Sequence, residues 1–392
     1  MTEYDLIVLG GGPAGAAAAL ALAQKGLQVA LLDRVRPSTL KPDQPLDPRV
    51  VAISPGSMAF LNGIQVADTL RHERIAEYRS MRVHAGSQAL EFVAAEHGLD
   101  QLGWIVEIAN LADAIWQVAA RHDNRERNLD LITPAEVDAF DLQPDSIRLK
   151  LADGRSLSSQ ILIGADGARS RVRTTAGIEH RIDDYNQRAI VTHLNTSRPN
   201  SSVAWQRFTD NGPLALLPLT EGRSSLVWSV PCERAEELMK LNDAAFLEQL
   251  ELSASNQPFG SFTDLTQRHA IALVRRQSQQ MHQGRVALLG DAARSVHPLA
   301  GQGLNLGLAD AAELAEALNG WDTKQNPETR LARYARRRLS DAGLIAGGIH
   351  FINESRMFGP KLGQLGMGAA FRLLSRSRSL REPFLRRACG LR

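Results

Sequence analysis

The segment that ends at Asp33 constrains the fold more than any other part of the chain. Residues 6–9 are an apolar run that predicts a buried strand, a glycine-rich turn follows directly, and the alanine-rich residues 16–24 predict a helix. A second apolar run, residues 28–32, predicts another strand and ends at the acid. This order predicts a βαβ unit with two parallel strands.

The glycine-rich turn satisfies the pattern GxGxxG. Such a pattern alone also describes ordinary glycine turns, so its context matters. An acid about 20 residues beyond the first glycine, at the end of the second strand, is where the adenosine ribose of a dinucleotide is held. We therefore expect the turn and the start of the helix to bind a dinucleotide. The candidate residues are Gly10, Gly12, Pro13, Ala14, Gly15, Asp33 and Arg34.

A second informative segment lies at residues 286–305. An apolar run places Asp291 at the end of a strand, and a loop broken by proline and glycine then leads into a long Ala/Leu-rich helix. The acid can accept hydrogen bonds from a ribityl chain, while glycines let backbone amides and the positive helix end approach an electron-rich ring. An isoalloxazine fits this description, so the two segments together predict FAD. The candidate residues here are Gly290, Asp291, Pro298, Gly301, Gln302, Gly303, Leu304 and Asn305.

A third motif, the pair Asp166-Gly167, follows a predicted strand at residues 161–163. Taken alone, such a pair is a turn. Its position at the carboxyl end of a strand is also where open α/β sheets bind ligands. The three arginines between residues 169 and 173 could meet a pyrophosphate or could begin a solvated helix. The sequence has no second strand-GxGxxG-helix unit, so a nicotinamide donor would have to bind on the flavin domain itself.

Composition excludes several other classes of protein. The 392 residues allow two domains with a large core, and a net charge of +2 does not indicate nucleic acid as a partner. Two cysteines are too few for a disulfide framework, and no cluster has metal-ligand spacing, so we predict no metal. The uncharged residues 6–23 are preceded by acids and broken by glycines and a proline, which disfavours a signal peptide or a membrane span. We expect a cytoplasmic protein.

The order GxGxxG, Asp-Gly, Gly-Asp resembles the single-component flavin aromatic hydroxylases with the p-hydroxybenzoate hydroxylase fold. Several strings resemble the ubiquinone-biosynthesis branch of that family, at residues 47–53, 103–107, 207–208, 212–218, 225–228 and 297–303. The resemblance implies an FAD-dependent monooxygenase that uses NAD(P)H and O2 and hydroxylates the ring of a polyprenylated phenol. Two alternatives stay open: a hydroxylase of a small soluble aromatic or secondary metabolite, and a non-catalytic flavin-binding subunit of a biosynthetic assembly.

The resemblance also implies roles for individual residues. Arg49 would touch the flavin side, Asp166 would serve both the pyrophosphate and the nicotinamide, and the backbone of Pro298 would lie beside the reacting flavin edge. The helix that begins near Leu304 would face flavin N1 with its amides. His297 is a candidate for proton transfer, although a lone loop histidine is more often structural.

Two departures from the family pattern limit the transfer of residue roles to this chain. Arg294 stands where many relatives carry histidine, and we assign it no catalytic role. Ile108 stands where many relatives carry asparagine, which leaves Asn110 as a substitute candidate for a flavin contact.

The predicted architecture is α/β. A Rossmann-like FAD-binding domain would comprise residues 1–72, 105–180 and 270–330, with a mainly antiparallel β substrate domain inserted as residues 73–104 and 181–269. Residues 331–392 would form a helical C-terminal region. Between residues 371 and 387 this region interleaves apolar side chains with six arginines opposed by a single glutamate. Such a segment fits contact with a membrane surface or a ubiquinone-biosynthesis complex, peripheral to the inner membrane, or a solvated helix packed on the domain.

Overall fold

The computed structural model describes residues 2–86, 88–123, 128–295 and 302–340, together with 386, 389 and 390. Its strands are β1 (Thr2–Leu9), β2 (Val29–Leu32), β3 (Val50–Ile53), β4 (Ala76–Tyr78), β5 (Ser80–Ala85), β6 (Gln88–Val93), β7 (Gly103–Glu107), β8 (Leu129–Ile132), β9 (Val137–Leu142), β10 (Ile147–Leu151), β11 (Ser156–Gly164), β12 (His180–Thr196), β13 (Val203–Thr209), β14 (Gly212–Pro218), β15 (Ser224–Pro231), β16 (Phe262–Leu265), β17 (His269–Ser278), β18 (His282–Gln283), β19 (Val286–Leu288) and β20 (Arg294–Ser295). Its helices are α1 (Pro13–Gln24), α2 (Pro55–Gly63), α3 (Ile108–Arg121), α4 (Arg171–Thr175), α5 (Cys232–Lys240), α6 (Asp243–Ser253) and α7 (Gln302–Ala317), and residues 328–340 are also helical.

The first sheet contains the predicted βαβ unit. Its strand order is β18-β19-β11-β1-β2-β8, and β10 pairs with both β11 and β9. Strand β1 runs parallel to β2 and to β11, and β11 runs parallel to β19. Leu6, Ile7 and Val8 are fully buried, as expected for a parallel strand that is covered on both faces. The three motifs of the sequence therefore follow β1, β11 and β19, which are consecutive neighbours with their carboxyl ends at one edge.

The second sheet is mainly antiparallel, with the order β20-β17-β12-β15-β14-β13-β5-β6 and β16 on β12. One of its pairs, β13 with β5, is parallel. One face carries a core in which Trp205, Trp228 and Phe246 are fully buried, and Phe246 lies on α6. A small sheet, in the order β3-β7-β4, completes the strands.

The chain passes between the sheets at places that differ from some predicted boundaries. The predicted boundary at residue 270 falls inside β17, which pairs with β12 in the second sheet, so the return to the first sheet begins with β18. The predicted C-terminal region begins inside the helix of residues 328–340. This helix is part of the first domain's core, because Leu331 and Tyr334 are fully buried and the Tyr334 hydroxyl donates to the carbonyl of Leu288 at 2.8 Å. The assignment of domains by function stays a prediction.

Candidate active site

The GxGxxG turn lies directly against the strand end that precedes Asp166. Gly10 has a φ of +109°, and a Cβ on it would lie 2.3 Å from the carbonyl oxygen of Ala165. A Cβ on Gly15 would lie 2.0 Å from the carbonyl oxygen of Gly10. Only glycine fits these two positions, and their absence of side chains brings the first and third motifs into contact.

The middle glycine of the pattern faces open space. Gly12 is the N-cap of α1, and a Cβ built on it would meet no atom within 4 Å. Pro13 occupies the first helical position, and no side chain caps the helix, so the amides of Ala14 and Gly15 lie in a first turn that offers free N–H donors. An uncapped helix start beside open space fits a pyrophosphate.

Asp33 holds the glycine turn at the end of β2. Its Oδ2 accepts from the amide of Gly11 at 2.5 Å, and its Oδ1 accepts from the amide of Val35 at 3.0 Å. The indole of Trp116 donates to the carbonyl of Gly11 at 2.8 Å, so both peptide groups that flank this residue are fixed. A carboxylate offers about four lone-pair sites, so two remain for ribose hydroxyls. Arg34, the next residue, is exposed.

One of the two carboxylate oxygens of Asp166 binds the protein backbone. Its Oδ2 accepts from the amides of Arg171, at 2.7 Å, and Val172, at 3.2 Å, at the start of α4. Its Oδ1 is buried and has no hydrogen-bond partner in the described part of the chain. Because buried polar atoms are almost always paired, this oxygen marks a place where a ligand donor fits.

Of the three neighbouring arginines, Arg169 and Arg171 are exposed at the start of α4, whereas Arg173 is neither in solvent nor free for a pyrophosphate. Arg173 is buried, and its guanidinium donates to the carbonyls of Ala292, at 2.8 Å, and Ala168, at 3.0 Å. Arg171 donates to the carbonyl of Val137 at 2.6 Å. The reason is topological: α4 contacts both β11 and β19, so Arg173 links the Asp-Gly and Gly-Asp motifs through the carbonyl of Ala292, while Arg171 joins α4 to β9.

The Gly-Asp segment meets both cofactor-facing helices. A Cβ on Gly290, whose φ is +57°, would lie 3.5 Å from the Cβ of Ala14 in α1. A Cβ on Gly307 in α7 would lie 3.0 Å from that same Ala14 carbon and 3.4 Å from the Cα of Gly290. The Asp291 side chain is solvent-accessible, yet surrounding protein atoms desolvate it and raise the pKa of the carboxyl, while Arg276 opposes the rise.

The beginning of α7 presents its amides beside this turn. Gly303 and Leu304 lie in its first turn, where N–H groups lack intrahelical partners and the helix dipole is positive, and Asn305 follows them. The Asn305 side chain is engaged elsewhere, since it accepts from the amide of Ser54 at 3.0 Å and donates to the carbonyl of Ala52 at 2.7 Å. The predicted residues His297, Pro298 and Gly301 lie outside the described residues.

The structure gives Asn110 a role different from the predicted flavin contact. Its side chain is 1% exposed, accepts from the amide of Arg71 at 3.0 Å and donates to the carbonyl of the same residue at 3.1 Å. This two-point bond occurs because the first turn of α3 packs against the segment at residue 71. The amide therefore fixes a loop instead of facing a ligand.

Arg49 lies on a loop that buried residues hold in place. Its guanidinium is 61% exposed and pairs with Asp47 at 3.4 Å. The amide of Asp47 donates to Glu107 at 2.5 Å, and its carbonyl contacts Nε2 of His193 at 2.9 Å. Glu107 also binds Arg74 in a buried ion pair of 2.7 Å. Sequence reasoning missed Arg74 and His193, because neither lies in a motif and their spacing along the chain carries no signal, whereas Glu107 stands in the family-like string at residues 103–107.

His193 comes from the second sheet, so its bond joins that sheet to the Arg49 loop. Burial lowers the pKa of the imidazole, and Arg223 lowers it further, while the Asp47 carbonyl opposes this. Nδ1 of His193 and Oγ of Ser225 have no partner among the described residues, and the two residues are directly opposite on β12 and β15. The carbonyl of Asp47 requires Nε2 to donate, so Nδ1 of the neutral ring is an acceptor.

A Rossmann-type sheet with three motifs at one edge, joined to an antiparallel sheet, defines the class of FAD-dependent monooxygenases. The chain belongs to the FAD binding domain family, which matches residues 3–345, and within it to the ubiquinone-biosynthesis monooxygenases. It is 33% identical over 349 residues to the 3-demethoxyubiquinol 3-hydroxylase of Escherichia coli (strain K12), covering 88% of each chain. It is also 33% identical over 368 residues to the human mitochondrial ubiquinone biosynthesis monooxygenase COQ6, covering 81% of this chain and 77% of that protein.

Solved structures support the fold independently. The p-nitrophenol 4-monooxygenase PnpA from Pseudomonas putida superposes with a TM-score of 0.75 at 21% identity, covering 100% of both chains. The predicted α/β fold class, FAD as cofactor and the assignment as a monooxygenase are thereby confirmed. No helix in the described ranges is long and apolar enough to cross a membrane. Within those ranges, no group of three or more His, Cys, Asp or Glu residues could hold a metal ion.

Proposed function

We propose that the protein hydroxylates the aromatic ring of a polyprenylated phenol in ubiquinone biosynthesis, with NAD(P)H as electron donor and O2 as co-substrate. The observation that carries the proposal is the meeting of the three motifs at one sheet edge, where a Cβ on Gly10 would clash with Ala165 and a Cβ on Gly290 would contact Ala14. The substrate class follows from the relatives, which are named for ubiquinone biosynthesis at 33% identity.

FAD fits the residues at this edge. Asp33 would hold the adenosine ribose, the α1 amides beside Gly12 the pyrophosphate, and Asp291 the ribityl chain, with the α7 amides at the ring. When bound, the flavin supplies electron transfer from the nicotinamide and oxygen transfer to the phenol. The chain's own residues bind and orient the cofactor, and the positive helix end stabilises negative charge next to it.

The nicotinamide donor would bind on the flavin domain. The sequence has one strand-GxGxxG-helix unit, and FAD would occupy it. The unpaired Oδ1 of Asp166 lies at the same edge and is suited to accept a hydrogen bond from a ligand. We assign the nicotinamide to this acid, while the choice between NADH and NADPH depends on contacts that no motif specifies.

The second sheet offers the surface for an apolar ring. The face that does not carry Trp205 and Trp228 has its own small apolar cluster, formed by Ala189, Val191 and Leu273. His193 lies on the same face and joins it to the Arg49 loop. An aromatic ring between this face and the flavin domain would contact apolar side chains and one neutral imidazole.

A lipid substrate also requires access from a membrane or a presenting partner. Of the segment from residue 371 the structure describes residues 386, 389 and 390, and the carbonyl of Cys389 accepts from the amide of Gly56 at 2.9 Å. The alternating apolar and arginine side chains of this segment support contact with an anionic surface or a biosynthetic complex. The protein would thus be cytoplasmic and peripheral to the inner membrane.

The position of hydroxylation has two candidates. The string at residues 107–110 resembles 2-octaprenyl-6-methoxyphenol hydroxylase, whereas the Escherichia coli relative is named a 3-demethoxyubiquinol 3-hydroxylase. The test is mass spectrometry of the quinone precursors that accumulate in cells lacking the protein. A prenylated phenol that lacks one ring oxygen supports the proposal and names the carbon.

Complementation sharpens that test. The parent gene and a control, Asp145→Ala on an exposed turn between β9 and β10, should restore ubiquinone, whereas Asp291→Ala should restore less. Normal ubiquinone in the deletion strain refutes the proposed substrate and favours a small soluble aromatic. Phenol-independent oxidation of NAD(P)H by the purified protein would instead favour the non-catalytic subunit.

A further inference from the structure

Arg294, to which the sequence assigns no role, is one of three charged side chains that form a buried cluster around Asp310. Its guanidinium is 1% exposed and donates to Oδ1 of Asp310 at 2.5 Å, and the Asp310 carboxylate is fully buried. Arg338, from the helix of residues 328–340, donates to that same oxygen at 2.7 Å and is 5% exposed. Removing one partner of such a group is costly, because a charge is left without compensation.

The other oxygen of Asp310 binds the flavin segment itself. Oδ2 accepts from the backbone amide of Gly290 at 3.1 Å. Asp310 therefore binds residue 290 through its amide and residue 294 through its side chain. Asp291 lies between these two attachment points, so a single carboxylate on α7 holds both ends of the short turn that carries it.

Additional contacts make the Arg294 end of this turn rigid. Arg294 also reaches the sulfur of Met281 at 3.0 Å. It lies in the short strand β20, where its backbone pairs with Gln277 of β17. At the other end, the amide of Ala293 donates to the carbonyl of Gly290 at 3.0 Å. The backbone of Gly290 has a φ of +57°, a left-handed conformation that glycine adopts without strain.

We propose that Arg294 is a positioning residue for the flavin: through Asp310 it fixes the Gly290–Arg294 turn and thereby places the Asp291 carboxylate for the ribityl chain. This inference rests on the proposed contact between Asp291 and FAD. A guanidinium suits the role because its planar set of donors reaches the carboxylate and the methionine sulfur together, whereas an ammonium is a single point charge.

Arg338 provides the matched control. It binds the same oxygen of Asp310 with similar burial, but it lies on another helix and does not span the turn. Arg294→Lys and Arg338→Lys are compared by thermal unfolding and by fluorescence titration of the full-length apoprotein with FAD. We expect both variants to be less stable, and only Arg294→Lys to bind FAD about tenfold more weakly. Equal losses of FAD affinity would assign the cluster to stability alone and overturn the proposal.

A double-mutant cycle tests the route through Asp291. If Arg294 acts by placing that carboxylate, Arg294→Lys should weaken FAD binding little further in the Asp291→Ala background. Full additivity of the two losses would overturn the proposal. Unchanged affinity in Asp291→Ala alone would refute the ribityl contact itself, and loss in that variant without loss in Arg294→Lys would refute only the positioning role.

A folding failure is also informative. If Arg294→Lys does not accumulate as folded protein, Arg294→His is tested by the same titration, with the same expected weakening. Failure of both variants to fold, while Arg338→Lys folds, would make Arg294 a stability residue and overturn the proposal.

Discussion

Removal of the Asp291 carboxylate should weaken FAD binding by a predictable amount. The side chain is solvent-accessible at the meeting point of α1, the Gly290 turn and α7, so Asp291→Ala removes an acceptor without opening the core. A hydrogen bond to a charged group contributes about 1.5–3 kcal/mol, which corresponds to a roughly 10- to 150-fold increase in Kd. The assay is titration of apoprotein with FAD, followed by quenching of flavin fluorescence.

The pH dependence of the same titration adds a second readout. Desolvation raises the pKa of Asp291, and the neutral carboxyl is a poorer acceptor than the carboxylate. FAD affinity should therefore decrease as the pH falls through this raised pKa, and Asp291→Asn should lack that decrease. Asp145→Ala, in which an exposed acid is removed far from the site, should behave like the parent. An unchanged Kd in Asp291→Ala at neutral pH refutes the assignment.

Three further outcomes are expected. Asp166→Ala should slow anaerobic flavin reduction by NAD(P)H in stopped flow more than it lowers flavin content. Reduction as fast as in the parent would show that the Asp-Gly pair serves only as a turn. Burial lowers the pKa of His193 in the folded state below its unfolded value of about 6.5, so its contribution to stability is present above that pH and is lost as the pH falls through it. His193→Gln should thus show a smaller difference in urea midpoint between pH 7.5 and 5.5, and an equal difference would contradict this. Deletion of residues from 371 should leave a yellow protein that no longer binds anionic vesicles at low salt, with binding by the full chain weakened by salt. Retained vesicle binding by the truncated chain would disprove the membrane role, and loss of FAD would make the segment structural.

Much of the flavin domain could be predicted because its signals are local. The run from residue 6 to Asp33 has strand, turn, helix and strand adjacent in sequence, and the geometry of Gly10 and Gly15 requires glycine at those positions. A right-handed βαβ connection then leaves few arrangements open. The same local signals placed each of the three motifs after a predicted strand, and the structure shows that these strands, β1, β11 and β19, are neighbours in one sheet.

The errors and omissions involve polar side chains whose partners are distant in sequence. Arg173 was expected at a pyrophosphate or in solvent, yet it donates to Ala292, which lies 119 residues away. Asn110 was a candidate for the flavin, yet it holds the backbone of Arg71. Nothing in the local pattern around either residue distinguishes a ligand contact from a backbone contact, since both use the same donors and acceptors.

The sequence by itself determined the class of this protein: a flavin-binding α/β fold follows from glycine spacing, apolar runs and acids at strand ends, which act over a few residues each. The tertiary structure decided which of the polar residues serve the cofactor and which hold the fold. Arg294 shows why, because its role depends on Asp310 and Arg338. These residues come from two helices and lie next to Arg294 only in the packed interior. A buried charge needs an oppositely charged or hydrogen-bonding partner. Tertiary packing brings that partner close, and a short sequence pattern does not reveal it.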